Sequence, residues 1–317
     1  MTSAVETMAY KGETPWHGMG FQVKGSMSPE QMMRAAKCDW QVGKRPLAFL
    51  KNGRYHEVAN EHALIRETDN RVLSLVGDVY KPVQNAEVFE FFKKFTKTGH
   101  MEMETAGSLW SGRYVWALAR CAKDFKVGKN DEVRSYLLIC SPHVHGAALV
   151  AQYTPIRVVC WNTLTMALGS SLKRNNPGAF RMPHTKSFAE QSKYAEKALG
   201  LVIEQNDEFK EAANHLAKTK VDVAKVYEYF GHLLNPTGAE LKKTPIMMPK
   251  LKEALEKAPG ANMASAKGTW WGALNAVTYV VDHEIGKDRQ TALKNAWLSN
   301  MAKLKRNALT LALEEAK

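Results

Sequence analysis

Three observations predict an α+β fold. Short β-leaning runs separated by turn residues fill most of the chain up to about residue 186. Only a few short stretches there read as helix, and everything after Ser187 is helical with Pro and Gly punctuation. The expected architecture is an antiparallel β-meander sheet with packed helices, followed by an all-helical C-terminal part. A mixed domain is expected over 1–186. A helical part over 187–317 would pack on it or mediate subunit contacts.

The elements follow in order. The first thirty residues, centred on Lys11 to Gly20, are dense in Gly and polar residues and read as loop. Ser28-Pro29-Glu30 reads as an N-cap, a Pro in the first turn and an early acid, opening a helix to about Lys37. Gln41–Leu50 and Tyr55–Val58 flank Asn52-Gly53, the strongest short hairpin signal. Ala63–Arg66 and Val72–Val76 follow across Asp69-Asn70. Val88, Phe91, Phe92 and Phe95 fall at helical spacing between Gln84 and Lys97. Met101–Ala106, Arg113–Arg120, Arg134–Cys140 and Ala148–Cys160 lean to strand. A helix is read over Cys160–Leu172, a loop over 174–178 and a last strand over Ala179–His184. Helices are placed near 188–217, 220–234, 247–258, 265–284 and 288–315.

Composition narrows the class. With 45 % hydrophobic and 24 % charged residues in 317, the chain is a folding sequence, not a disordered one. No apolar run approaches the ~20 residues that a bilayer span needs, and Met1–Tyr10 has no basic signal-peptide start. Cys38, Cys121, Cys140 and Cys160 lie far apart, as reduced thiols in a cytoplasmic protein do. The expectation is a protein of the cytoplasm, or of the host cytoplasm if phage-encoded, with no membrane partner.

The net charge of +12 suits a polyanionic partner. Residues 1–186 hold 25 Lys/Arg against 16 Asp/Glu, whereas 187–317 hold 19 against 16. After Glu132 no acid appears until Glu190, a gap of 57 residues containing Arg134, Arg157, Lys173, Arg174, Arg181 and Lys186. Carboxylates would repel a phosphate backbone, so their absence is what a nucleic-acid face requires.

Catalytic motifs are thin. There is no phosphate-cradling glycine loop, so no nucleotide cofactor is expected. Cys140-Ser-Pro-His143-Val-His145 offers three potential metal ligands, with the two histidines at i, i+2 on one strand face, but zinc would need a fourth. No metal and no cofactor are therefore assigned. Ser170-Ser-Leu-Lys173 lacks the companion motifs of SxxK enzymes. Asp282-His283-Glu284 reads as a solvated or capping cluster in a helix. Lys303, Lys305 and Arg306 read as a solvated face, and Trp270-Trp271 as core or subunit interface. No catalytic residue is assigned. An enzymatic role, if any, would centre on Trp16, His17, His143, His145 or Cys160.

Basic and aromatic residues interleave more suggestively. Trp110 and Arg113 sit together, Arg157 lies beside Trp161, and Lys173-Arg174 lead a basic loop followed by Arg181 and Lys186. Arginines grip phosphates and rings stack bases, a sequence-tolerant mode of single-strand binding.

Several blocks carry a family resemblance. Glu6 to Gly20 with its Pro15-Trp16-His17-Gly18 centre is one. Val76-Gly-Asp-Val-Tyr80-Lys-Pro82-Val-Gln84-Asn85 and Ala106 to Trp116 are two more. Tyr153 to Leu164 and Gly268 to His283 complete the set. Together they resemble the phage/plasmid-like protein family, catalogued as a domain of unknown function. Where that family more usually has a Ser-His-Asp-Gly turn, this chain has Ser141-Pro-His143-Val-His145-Gly146 and lacks the acid. The family's layout looks similar to that of single-strand annealing proteins, oligomers with a basic groove and no nucleotide hydrolysis.

The resulting expectation is an ATP-independent protein that binds and anneals single-stranded DNA, or RNA, as a homo-oligomer. Phosphates would meet Arg113, Arg157, Lys173, Arg174, Arg181 and Lys186, and bases would meet Trp16, Tyr80, Trp110 or Trp161. The alternative is a phage protein that binds a host protein, to inhibit a defence or redirect host machinery.

Overall fold

The structure is a computed structural model. It describes residues 5–12, 20–97, 99–121, 123–157, 162–163, 179–182, 184, 194–238, 245–285 and 300–317. The fold is α+β, with antiparallel sheets and a helical C-terminal part. The chain forms two compact units that alternate along the sequence: 1–122, 137–152 and 179–201 in the first, and 123–136, 153–178 and 202–317 in the second.

In the first unit, β1 (Val5–Lys11) and β2 (Phe21–Val23) precede helix α1 (Pro29–Ala35). Then come β3 (Val42–Lys51), β4 (Arg54–Arg66), β5 (Arg71–Gly77), helix α2 (Asn85–Lys97), β6 (Met101–Leu109) and β7 (Tyr114–Cys121). The unit also holds the later part of β9 (Asp131–Pro142), the start of β10 (Leu149–Arg157) and β12 (Ala179–Met182). Its larger sheet runs β10-β9-β7-β6-β1-β2, with β12 beside β10; β3, β4 and β5 make a separate three-stranded sheet.

The N-terminal segment departs from the loop expected of it. β1 lies inside the sheet, antiparallel to β6 and parallel to β2, and buries Met8, Ala9 and Tyr10. Its neighbouring Gly-rich residues hide a run too short to show a clear period, so only sheet pairing reveals it. Helix α1 starts as read: Ser28 and Gln31 exchange side-chain and backbone hydrogen bonds in a capping box, with Pro29 in the first turn. In α2, Val88, Phe89 and Phe92 are buried, and α1 and α2 pack together against β6.

The second unit holds β8 (Phe125–Val127) paired with the start of β9, and β11 (Asn162–Thr163) paired with the end of β10. The pairing of Asn162–Thr163 as strand contradicts the helix read there; the remainder of 158–178 lies outside the described residues. Helices α3 (Tyr194–Lys218), α4 (Val223–Leu234), α5 (Met247–Lys257), α6 (Trp270–Tyr279) and α7 (Asn300–Glu315) follow, with α3 entering this unit at Val202.

α6 begins five residues later than its hydrophobic pattern suggests, because the Thr269 hydroxyl accepts from Gly272 N–H and caps the helix there. Trp270 and Trp271 are core residues, and Trp271 Nε1 donates to Asp131, which also accepts from Ser265. Ser135, Tyr153 and Asn206 share a buried network in which both hydroxyls lie within 2.7 Å of Asn206 Oδ1.

Two readings are corrected in the π-turn Val280–Glu284 that extends α6. Asp282 and Lys305 are not solvated; both are buried and joined at 2.7 Å. A helical residue in a charged sequence context faces inward when an opposite charge waits there, and losing either partner would strand a buried charge.

Candidate functional site

The first unit exposes one element that its own core does not use. β3 and β4 form a hairpin closed by Asn52-Gly53, whose φ values of 54° and 75° are those of a two-residue mirror-image turn. Every residue from Ala48 to Glu57 is exposed. Where β3 has only Leu47 between Pro46 and Ala48, β4 inserts Val58 to Glu61, with Asn60 at φ 62°. The bulge breaks the ladder, and among the described residues the outer arm beyond it is held by cross-strand pairing.

Register assigns the arm's side chains. Lys51 faces Arg54, Leu50 faces Tyr55, Phe49 faces His56 and Ala48 faces Glu57. Directly opposed residues share a face and neighbours alternate. One face therefore carries Phe49, His56, Lys51 and Arg54; the other carries Ala48, Leu50, Tyr55 and Glu57. The Phe49 and His56 rings are stacked, with centroids 5.4 Å apart and planes 21° from parallel. Phe49 is 51 % exposed and Tyr55 80 %. Among the described residues neither Lys51 nor Arg54 has an ion-pair partner, whereas Lys44 and Arg45 nearer the base are tied to Asp78 O and Glu67.

The base of the hairpin is the opposite environment. Buried Arg66 donates to both Glu6 oxygens at 2.9 Å and to Asp69 at 2.9 and 2.7 Å, and its guanidinium lies over Trp40 at 5.4 Å. The Arg66 contact holds the Asp69 carboxyl down at about 2. Trp40 meets His143 edge-on. Asn85, opening α2, donates from Nδ2 to the Cys38 and Trp40 carbonyls, so its Oδ1 must accept from His143 Nε2 at 2.9 Å. That fixes the Nε2–H tautomer and, among the described residues, leaves Nδ1 without a hydrogen-bond partner.

Tyr80 lays its ring on buried His184, 4.8 Å between centroids, and its hydroxyl donates to Pro142 O. Burial and the nearby His184 push His143 down to about 3. Burial raises the Cys38 and Cys140 thiols to about 12, which leaves them protonated and unreactive. Beside this cluster Trp110, Ser111 and Gly112 take φ of 49°, 59° and 87° in succession. Non-glycine residues adopt that region at a cost of about 1 kcal/mol or more. A Cβ on Gly112 would crowd Trp40 and Arg66, and His143 N–H donates to Arg113 O, so the loop is clamped on the cluster.

The expected site residues are distributed as follows. Tyr80 is half-buried, one face of its ring taken by His184. Trp110 packs edge-on against Tyr114, and Arg113 is exposed on the same loop. Arg157 ends β10 and Arg181 lies on β12 opposite Val150. Trp16, Trp161, Lys173, Arg174 and Lys186 lie outside the described residues. Of the Cys140, His143 and His145 group, the first two are buried and His145 is exposed: β9 stops at Pro142, so the histidines do not share a strand face. Phe49, Lys51, Arg54 and His56 were not singled out from sequence. Their signal was there, as cations and rings at paired positions around Asn52-Gly53, but the exposure of both faces was not.

No helix among the described residues is long and apolar enough to cross a membrane. Neither the curated proteins nor the solved structures include a match to the chain. A family model described as a domain of unknown function, DUF932, matches residues 72–306, which leaves the β3–β4 arm ahead of the matched region. Since the match runs from β5 into α7 and covers most of the sequence, the chain belongs to the DUF932 family.

Proposed function

We propose that the protein binds single-stranded nucleic acid, without nucleotide hydrolysis, and promotes strand annealing. The observation that carries this reading is the β3–β4 arm, which projects solvent-facing rings and two unpaired cations from a unit whose core does not need them. A soluble fold gains nothing by exposing the stacked Phe49 and His56 rings, whereas a partner rich in phosphates and flat rings uses rings and cations alike. The net charge of +12 and the acid-free stretch from 133 to 189 support the same partner. Arg113, exposed on the clamped loop, supplies a further phosphate contact. Arg157, Lys173, Arg174, Arg181 and Lys186, with Trp16, Trp110 and Trp161, stay in the proposal as contacts along the strand. Membership among the phage and mobile-element proteins, and a working homo-oligomer, belong to this reading too.

The test is fluorescence anisotropy with a labelled single-stranded oligonucleotide across a salt series, followed by an annealing assay. Binding that weakens steeply with salt is expected. Absence of binding at low salt overturns the reading.

Leu50 and Tyr55 on the arm's other face favour a second reading, a protein partner such as a host factor. A nuclease-resistant complex that Leu50→Lys abolishes would support it, and one that survives Leu50→Lys would remove the arm from it.

A further inference from the structure

We infer that the Phe49–His56 ring pair is a stacking platform for unpaired bases, with Lys51 and Arg54 placed to hold the adjoining phosphate. This rests on the nucleic-acid reading above and narrows it to one face of one hairpin and to one form of the polymer.

Four features carry it. The two rings are near-parallel at 5.4 Å, so they already form a layered surface that a third flat ring can extend. Both residues are exposed, so the stack is not a piece of core that happens to reach the surface. The next cross-strand pair on the same face is Lys51–Arg54, about 7 Å further along at two residues of strand rise. No acid shares the face, because Glu57 points to the other side with Ala48, Leu50 and Tyr55. Rings, cations and the absence of carboxylates thus coincide on one side of a ribbon that has every opportunity to mix them.

The chemistry selects the ligand. In a duplex both faces of every internal base are covered by its neighbours. A single strand can swing a base onto the rings while its phosphate reaches the two cations. Every base has a π-face, so the platform tolerates any sequence. The mirror-image turn serves this directly: it keeps the Lys51–Arg54 pair at the extreme tip, where a passing backbone meets charge before rings.

The test uses the full chain and four proteins: wild type, the Phe49→Ala/His56→Ala variant, Lys51→Ala/Arg54→Ala, and Leu50→Ala/Tyr55→Ala on the opposite face. All the substituted side chains are exposed, and a thermal melt confirms that each variant folds. Anisotropy is read on a labelled oligothymidine and on a duplex of equal length. Wild type should prefer the single strand. Removing the rings should weaken binding by about tenfold or more, with the salt slope unchanged. Removing the two cations should lower the slope by about 1.4, at roughly 0.7 per single-strand phosphate contact. The opposite-face variant should stay within about twofold of wild type, the range expected of substitutions away from a contact.

The outcomes separate the two levels. Failure of wild type to bind single strand or duplex removes the function itself. Wild-type binding that the ring variant retains removes the platform and leaves the function standing. Equal affinity for duplex and single strand, or an opposite-face variant as weak as the ring variant, also overturns the platform. Phe49→Trp should retain binding, since only the ring is required.

Discussion

The inner and outer halves of the β3–β4 hairpin share one ladder and differ in almost everything else. At the inner end Leu64 is fully buried and Arg66 is locked between Glu6 and Asp69. Beyond the bulge at Val58 to Glu61 the same two strands expose Leu50, Phe49 and Tyr55. Apolar content does not tell the halves apart. What differs is whether another layer covers them. Burial fixes the inner half, whereas turn geometry and cross-strand pairing fix the outer one.

A large effect should come from acid at the inner end. His143 is buried neutral, with its proton affinity pushed from the usual 6.5 down to about 3. A depressed histidine contributes stability that is present above its unfolded value of 6.5 and is lost as pH falls from there toward 3. Between pH 7 and about 4.5 the loss should be on the order of 3 kcal/mol. Urea midpoints across that range measure it, and His143→Gln, which does not titrate, should flatten the curve.

Arg66→Met comes next. It strands Glu6 and part-exposed Asp69 at the hairpin base, and should cost about 3 kcal/mol by chemical denaturation. Leu64→Ala opens a cavity at a fully buried position and should cost about 2–4 kcal/mol. Its outer counterpart, Leu50→Ala, should stay within about 0.5 kcal/mol, and a larger loss would mean that the outer arm is covered after all.

Gly53→Ala sharpens the comparison without touching any contact. Nothing lies within 4 Å of the added methyl, so the whole cost is the φ of 75°. About 1–2 kcal/mol of that strain should fall on the arm. Hydrogen exchange should speed at Phe49 to His56 while the inner half keeps its protection, because the bulge separates the two.

Much of this was legible beforehand. The α+β class, the Ser28 capping box, the hairpin at Asn52-Gly53 and the helical C-terminal part all rest on local chemistry that a few adjacent residues carry. β1 was not, because its place between β6 and β2 depends on partners distant in the chain. Lys305 and Asp282 looked like solvated charges for the same reason: each is buried only because the other is there.

The candidate site divides along that line too. Sequence by itself determined the charge surplus, the acid-free stretch and the rings and cations around Asn52-Gly53. It determined that Gly53 would turn the chain, since φ preference belongs to the residue. Only the tertiary structure decided which of those rings face water. It turned Tyr80 onto His184, and it left Phe49 and His56 stacked in the open. Exposure is a property of what packs nearby, and packing is settled by contacts between residues that the sequence keeps far apart.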